Sequence, residues 1–397
     1  MGLYLGSGEK LKFIFNNVRH KMNVFSIMEL PAGYTRLSYI ESDGNQYIDT
    51  RFIPDTNSKM WLDFYPTVQQ STCFAGCRKG TSKAGFTINS GSDSTKQYAA
   101  FGNSGNTNLG AHTVGHHVVS IENGLFIYNG VETTVAATTL STEYSVYLFA
   151  CNNNGVTLPS TCRIYGCKLW YNGMLKRNFI PCINANGEAG FYDGITRKFY
   201  GNDGTGEFTK GPAFIPYIET TGEQFIDTGF VPNQDTRIVC EFMLAKIVNL
   251  GVVYGARESV AKNDFSFRTS YVTGPGHRWQ PIYGNSFGTF TDFQADTTQW
   301  HLVDHNKNTF YFDGVLRSTC AYADFTAPYS MTIGAVNNNN SIANYSKIRI
   351  RSFKIYDNGI LVRDMRPCVN ANGEIGMYDV LNDQFYGNAG TGTFIGA

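Results

Sequence analysis

Ile355-Tyr356-Asp357-Asn358-Gly359 opens the stretch that decides the fold. It runs on through Pro367-Cys368-Val369-Asn370-Ala371-Asn372-Gly373-Glu374 and Gly376-Met377-Tyr378-Asp379 to Phe385-Tyr386-Gly387-Asn388 and Gly390-Thr391-Gly392. The same text stands earlier as Leu169-Trp170-Tyr171-Asn172-Gly173, Pro181-Cys182-Ile183-Asn184-Ala185-Asn186-Gly187-Glu188, Gly190-Phe191-Tyr192-Asp193 and Gly204-Thr205-Gly206. Pro181 recurs as Pro367, Tyr192 as Tyr378 and Phe208 as Phe394, always 186 residues apart. Solenoid repeats run at roughly 20 to 50 residues, so a period this long means a duplicated domain.

The front edges match as well. Tyr39-Ile40-Glu41 through Gln46-Tyr47-Ile48-Asp49-Thr50 returns as Tyr217-Ile218-Glu219 through Gln224-Phe225-Ile226-Asp227-Thr228, now 178 residues apart. The middle of the second copy is therefore eight residues longer. Matched ends with a variable middle describe a fixed frame carrying changeable loops. The chain divides into an arm at 1–29, a first copy at 30–211 and a second at 212–397.

Between the edges, short runs alternate apolar and polar residues, with Asn129-Gly130 and Asn172-Gly173 as hairpin turns. Phe and Tyr are abundant (29 and 24), Gly numbers 42, and helical periodicity is nearly absent. The expected fold is all-β, two tandem antiparallel β-sandwich jelly rolls of a dozen or more strands each. Gly190 and Gly376 suit close approach to a neighbouring strand, and the Gly-Thr-Gly turns let each last strand return beside the first.

Composition excludes several classes. Net charge is zero and no basic run occurs, which speaks against nucleic-acid binding. No stretch approaches the roughly 20 apolar residues of a membrane helix. No signal peptide is read in the N-terminal residues. The nine Cys have no paired zinc-type spacing, and His112, His116 and His117 sit in loop-like text. Free thiols are expected, which suits folding in cytoplasm. Cys182 and Cys368 occupy equivalent places, one per copy, and should not bond to each other.

In the arm, Leu3, Tyr4, Leu5, Leu11, Phe13 and Phe15 belong to a hairpin-like text with one apolar face. A lone hairpin is marginal in water, so it should dock on its own domain or on a partner. Because it lies outside the duplicated unit, it is the candidate anchor.

The front text, Leu30-Pro31-x-Gly33-Tyr34 with Leu37, Tyr39-Ile40-Glu41-Ser42 and Gln46-Tyr47-Ile48-Asp49-Thr50, resembles the laminin-G-like branch of the concanavalin A-like lectin/glucanase fold. So does the back text around Lys354–Cys368, Gly376–Asp379 and Phe385–Phe394. Domains with these edges are common in structural proteins of gut bacteriophages and their prophages, and Tyr4-Leu5-Gly6-Ser7 is similar to the starts of such virion proteins. The resemblance implies a virion location, after assembly in the bacterial cytoplasm, on a head fibre, tail or baseplate. It also implies other virion proteins as partners through the arm, cell-surface or mucin glycans as ligands, and a possible homo-oligomer.

Glucanases of this fold carry Glu-x-Asp-x-x-Glu, with paired carboxylates as nucleophile and acid/base. The nearest text, Glu41-Ser42-Asp43-Gly44-Asn45-Gln46, ends in Gln and reads as a turn, and the second copy has Glu219-Thr220-Thr221-Gly222-Glu223. No enzymatic activity is expected. Relatives of the fold often bind calcium, but Asp93, Asp203, Asp292, Asp296 and Asp324 form no ligand string. No metal site or cofactor is assigned, calcium staying open. The candidate glycan contacts are His277, Arg278, Trp279 and Tyr283, an aromatic and basic cluster in the divergent middle, although core or interface packing is the favoured reading for such residues. Asn152–Asn154 and Asn337–Asn340 read as turns tolerant of left-handed backbone. The leading reading is a non-enzymatic virion protein presenting lectin-like domains. The alternative is a cell-surface or secreted carbohydrate-binding module or adhesin, with a glycan-cleaving enzyme a distant third.

Overall fold

A computed structural model describes residues 30–80, 85–270, 276–288 and 294–396. The candidate anchor residues Leu3, Tyr4, Leu5, Leu11, Phe13 and Phe15 and the calcium candidate Asp292 lie outside them. The described chain is all-β, two tandem jelly-roll sandwiches, each of an eleven-stranded and an eight-stranded sheet.

The larger sheets share one strand order. In the first copy it runs 131–134, 125–128, 117–122, 58–66, 161–171, 174–183, 189–193, 198–200. In the second it runs 315–319, 309–312, 301–306, 236–246, 347–357, 360–369, 375–379, 384–386. Pairing is antiparallel except for one short parallel pair per copy, Cys151 opposite Gly76 and Ala256 opposite Asn337. The chain doubles back just before each pair, at Phe149 (φ 62°) and at Gly334 (φ 90°). The second copy makes that reversal with the residue that adopts it freely, the first with a buried ring.

Alternation builds each core. Met60, Leu62 and Phe64 point inward from Ser58–Pro66, as Ile238, Cys240 and Phe242 do from Thr236–Lys246. Each copy has its own apolar cluster. The nine Cys are unpaired and buried; Cys182 lies in the first copy and Cys368 in the second. Asn172-Gly173 (φ 50°, 73°) and Asn358-Gly359 (φ 47°, 78°) form the left-handed hairpin turns that Asn-Gly signals.

The copies differ most in pairing where the sequence diverges. On its outer side Lys96–Gly102 pairs with Asn106–Ala111, whereas Arg278–Gly284 meets there only the short Ser286–Phe287 and a single bridge from Arg278 to Gln294 among the described residues. Each copy closes by bringing its end to its beginning: Thr209 lies opposite Glu41, and Ile395 opposite Glu219. The first copy then hands over directly to the second, with Ser38 N donating to Pro212 O at 2.8 Å. Arg163 of the first copy also bonds the Asp383 carboxylate of the second.

Gly190 and Gly376 sit where no side chain fits. A Cβ at Gly190 would lie 2.4 Å from Tyr200 O and 2.6 Å from the Phe199 ring; at Gly376 it would lie 2.3 Å from Tyr386 O and 2.6 Å from the Phe385 ring. Gly190→Ala should therefore destabilise the first copy by about 1–3 kcal/mol through overpacking against backbone. Thermal unfolding identical to the wild type would refute this account.

Candidate functional site

Trp279 and Tyr283, candidate glycan contacts for which packing is the favoured reading, are core residues: both are fully buried. Phe86 pairs with Phe101 where Phe265 pairs with Tyr283, so Trp279 occupies the place of Gln97 in the first copy. There Gln97 bonds His112 at 3.0 Å, His112 stacks on His117 at 5.1 Å, and His117 bonds the Tyr128 hydroxyl at 3.0 Å. In the second copy the indole of Trp279 fills this space, 5.1 Å from Phe267 and 5.4 Å from Phe312. Tyr283 packs edge-on against Phe325 and donates to Gln234 O. Rings without exposed surface cannot stack on a sugar. His277 and Arg278 are half-buried at the start of the strand, so the four residues do not form one surface.

The other candidates are structural. Glu41 belongs to strand Ile40–Asp43, not to a turn, and its carboxylate is tied to Arg163 at 2.6 Å. Asp203 accepts from Asp49 N and Arg51, Asp93 from Thr95, Asp324 from Tyr322, and Asp296 bonds His301. Among the described residues no three His, Cys, Asp or Glu side chains converge as a metal site. In both copies the Asn loops fold on themselves: Asn152 bonds Ser145 O and Gly155 N, and Asn337 bonds Ser330 O and Asn340 N.

The site that sequence reasoning missed lies on the outer face of the first copy's larger sheet. Lys59 stands directly opposite Trp170, and Trp61 opposite Lys168. Each ammonium lies over the facing indole, Lys59 at 5.9 Å from Trp170 and Lys168 at 5.2 Å from Trp61. The result is a two-by-two checkerboard of cations and rings held on rigid strands. Cation–π attraction orients each ammonium over the facing ring. Beside it opens a groove of about 420 Å³ lined by Thr56, Asn57, Ser58, Lys59, Glu122, Asn123, Trp170 and Gly173. Glu122 pairs with Lys59 at 3.2 Å, and the Asn123 carbonyl is used by Thr138 N. The Asn57 side-chain amide makes no hydrogen bond among the described residues and is exposed.

The signal for this site was present in the sequence. Lys59-Met60-Trp61-Leu62 and Lys168-Leu169-Trp170 alternate at period two, with each Trp in step with a Lys, and Lys belongs outside.

The second copy keeps half of the pattern and bars the rest. Arg237 faces Tyr356, its guanidinium 5.2 Å from the ring. Asp235 and Lys307 stand where the first copy has Asn57 and Asn123, and they join in a 2.6 Å ion pair. A salt bridge thus spans the place where the first copy offers neutral amides.

No family model matches the chain, and no curated protein does. Among solved structures, the mouse laminin alpha1 chain, domains LG4-5, aligns with 15% sequence identity over 84% of this chain and 92% of that chain, with a TM-score of 0.29. A likeness at that score carries no argument about function, and the fold stands on the strand order above.

Proposed function

We propose that this chain is a non-enzymatic attachment protein that binds a carbohydrate across the Lys59–Trp170 groove of its first copy. The half-exposed Trp170 indole beside a groove of about 420 Å³ is the observation that carries the reading. Ligand sites typically measure roughly 300–1,000 Å³ and combine a flat apolar surface with a few polar groups. The C–H face of a sugar ring stacks on an indole, while its hydroxyls take hydrogen bonds from Asn57 and Lys59 and give them to Glu122. The Asp235–Lys307 bridge makes the first copy the binding unit.

The edge motifs support a place on a bacteriophage particle, as a head fibre, tail or baseplate appendage, with residues 1–29 as its attachment. The Glu41–Arg163 pair supports the absence of glycan hydrolysis, because a carboxylate held by a guanidinium is poorly placed as a nucleophile.

The test is binding of mucin-type and bacterial surface oligosaccharides by the whole chain. Trp170→Ala should weaken binding about tenfold or more, the scale of losing a central aromatic contact. Affinity unchanged in both Trp170→Ala and Lys59→Ala would overturn the glycan reading. Hydrolysis that disappears in Glu41→Gln would overturn the non-enzymatic one. Absence from purified particles would remove the virion role and leave binding to be judged separately.

A further inference from the structure

The outer face of the second copy's smaller sheet carries two arginines with a single carboxylate, Asp264, beside them among the described residues. Arg257 is 3% exposed and Arg268 is 7% exposed. They sit on neighbouring strands, Val252–Arg257 and Asp264–Ser270. Arg257 Nε donates to Asn338 at 2.8 Å and Nη2 to Asn344 at 3.1 Å, both neutral carbonyls. Arg268 donates through Nε and Nη2 to the single carbonyl of Gln280, at 2.9 and 2.7 Å. The carboxylate beside them is Asp264, fully buried and 3.9 Å from Arg257 Nη1, beyond hydrogen-bonding distance. Asp264 instead accepts from Ser266 Oγ at 2.6 Å and Ala261 N at 3.2 Å. Arg257 Nη1 is buried without a hydrogen-bond partner.

Among the described residues two buried guanidiniums therefore face one carboxylate, and Arg257 Nη1, the donor nearest to it, completes no hydrogen bond. A buried charge without a partner costs several kcal/mol. The first copy has no such cluster: the register puts Arg78, Gly85, Thr87, Asn89 and Tyr98 at the corresponding positions. The first copy keeps only the half-buried Arg78, bonded to Asn153, so the buried pair of guanidiniums around one carboxylate belongs to the second copy and is not a requirement of the fold.

We propose that Arg257 and Arg268 hold an oxyanion, the carboxylate or sulfate group of a small ligand, on this face. Guanidinium forks pair bidentately with planar carboxylates and with two oxygens of a tetrahedral oxyanion, and Arg257 Nη1 has a donor to spare. The half-buried Gln280 and Asn344 and the exposed Phe287, whose ring lies 5.6 Å from the Arg268 guanidinium, place the rim at the surface. The proposal is independent of the groove in the first copy, which lies on another sheet of another domain.

The test titrates the whole chain with sodium sulfate and, separately, with glucuronate, at constant ionic strength and neutral pH. Wild-type protein should bind at least one of them saturably. Preference for sulfate marks a sulfated or inorganic source, and preference for glucuronate an acidic sugar. Arg268→Gln should lose binding at least tenfold, and Asp264→Asn, which removes the competing carboxylate, should tighten it. The Asp264→Asn arm keeps the test decisive if Arg268→Gln fails to fold. No saturable binding of either anion overturns the proposal, and so does binding that Asp264→Asn leaves unchanged or weakens. Trp170→Ala should leave anion binding intact, so failure here is separable from failure of the glycan reading.

Discussion

Trp279→Ala should destabilise the second copy by about 3–5 kcal/mol and leave the first untouched. The indole has no exposed surface and packs on Phe242, Phe267, Phe312 and His301. Removing it leaves a void among rings that cannot collapse onto one another, because each is held by its own strand. For a domain of this size the loss is roughly 10 °C in Tm. Calorimetry should show one transition moving and one standing still. A shift of less than a few degrees, or of both transitions together, would mean that Trp279 is not the keystone of its core.

Acidification should weaken the first copy more than the second. His112 is buried, and burial together with the neighbouring His117 lowers its pKa to about 4. The unfolded chain has its histidines near the ordinary value of about 6.5. Between those values the unfolded state binds more protons, so stability falls as pH drops from about 6.5 to about 4, by on the order of 3 kcal/mol. His117 is lowered by burial as well and acts in the same direction. His116 acts against it: burial lowers it, but the hydrogen bond and charge of Asp63, together with the charge of Asp383, more than offset burial and raise it.

The second copy is balanced differently. Burial lowers His305 to about 3, with the same sign as His112. Burial raises Asp264 to about 6, so the folded state takes up a proton there as pH falls from about 6, and this stabilises it. The two effects oppose each other across the same window. Calorimetry from pH 7 to pH 4 should lower the first transition more than the one identified by Trp279→Ala. The reverse order would refute these histidine assignments.

The sequence was most legible where both copies repeat a backbone requirement. Asn172-Gly173, Gly190 and the Gly-Thr-Gly turns are read from local chemistry, and the strands they join follow. Trp279 was legible as a packing residue but not as the centre of its core, because its partners depend on a pairing. Only the register of 264–270 with 278–284 shows that it replaces Gln97 and the adjoining His112. That part of the chain lies in the divergent middle, where no offset between copies can be set by eye. The Trp61–Trp170 checkerboard was half legible. Alternation puts both rings outside, but their facing Lys59 and Lys168 come from strands about a hundred residues apart in sequence, brought opposite by tertiary pairing. The Arg257–Arg268 pair carries no local signal at all, since its meaning is the absence of a second carboxylate in three dimensions.

The closure of each copy, with Thr209 against Glu41 and Ile395 against Glu219, has a kinetic consequence. Tying ends about 170 residues apart costs about 4–5 kcal/mol of chain entropy before the contact returns anything. Such long-range pairing makes for slow folding. The two closing strands also meet similar opening strands, so a chain refolding from denaturant can join the tail of one copy to the head of the other. Synthesis from the N-terminus removes that choice. Lys210 emerges from the ribosome before Ile218 does, and well before Ile395 is made, so the first copy can seal while its competing edges are not yet available. The order of translation thus protects a duplicated topology that equilibrium refolding would leave open to exchange.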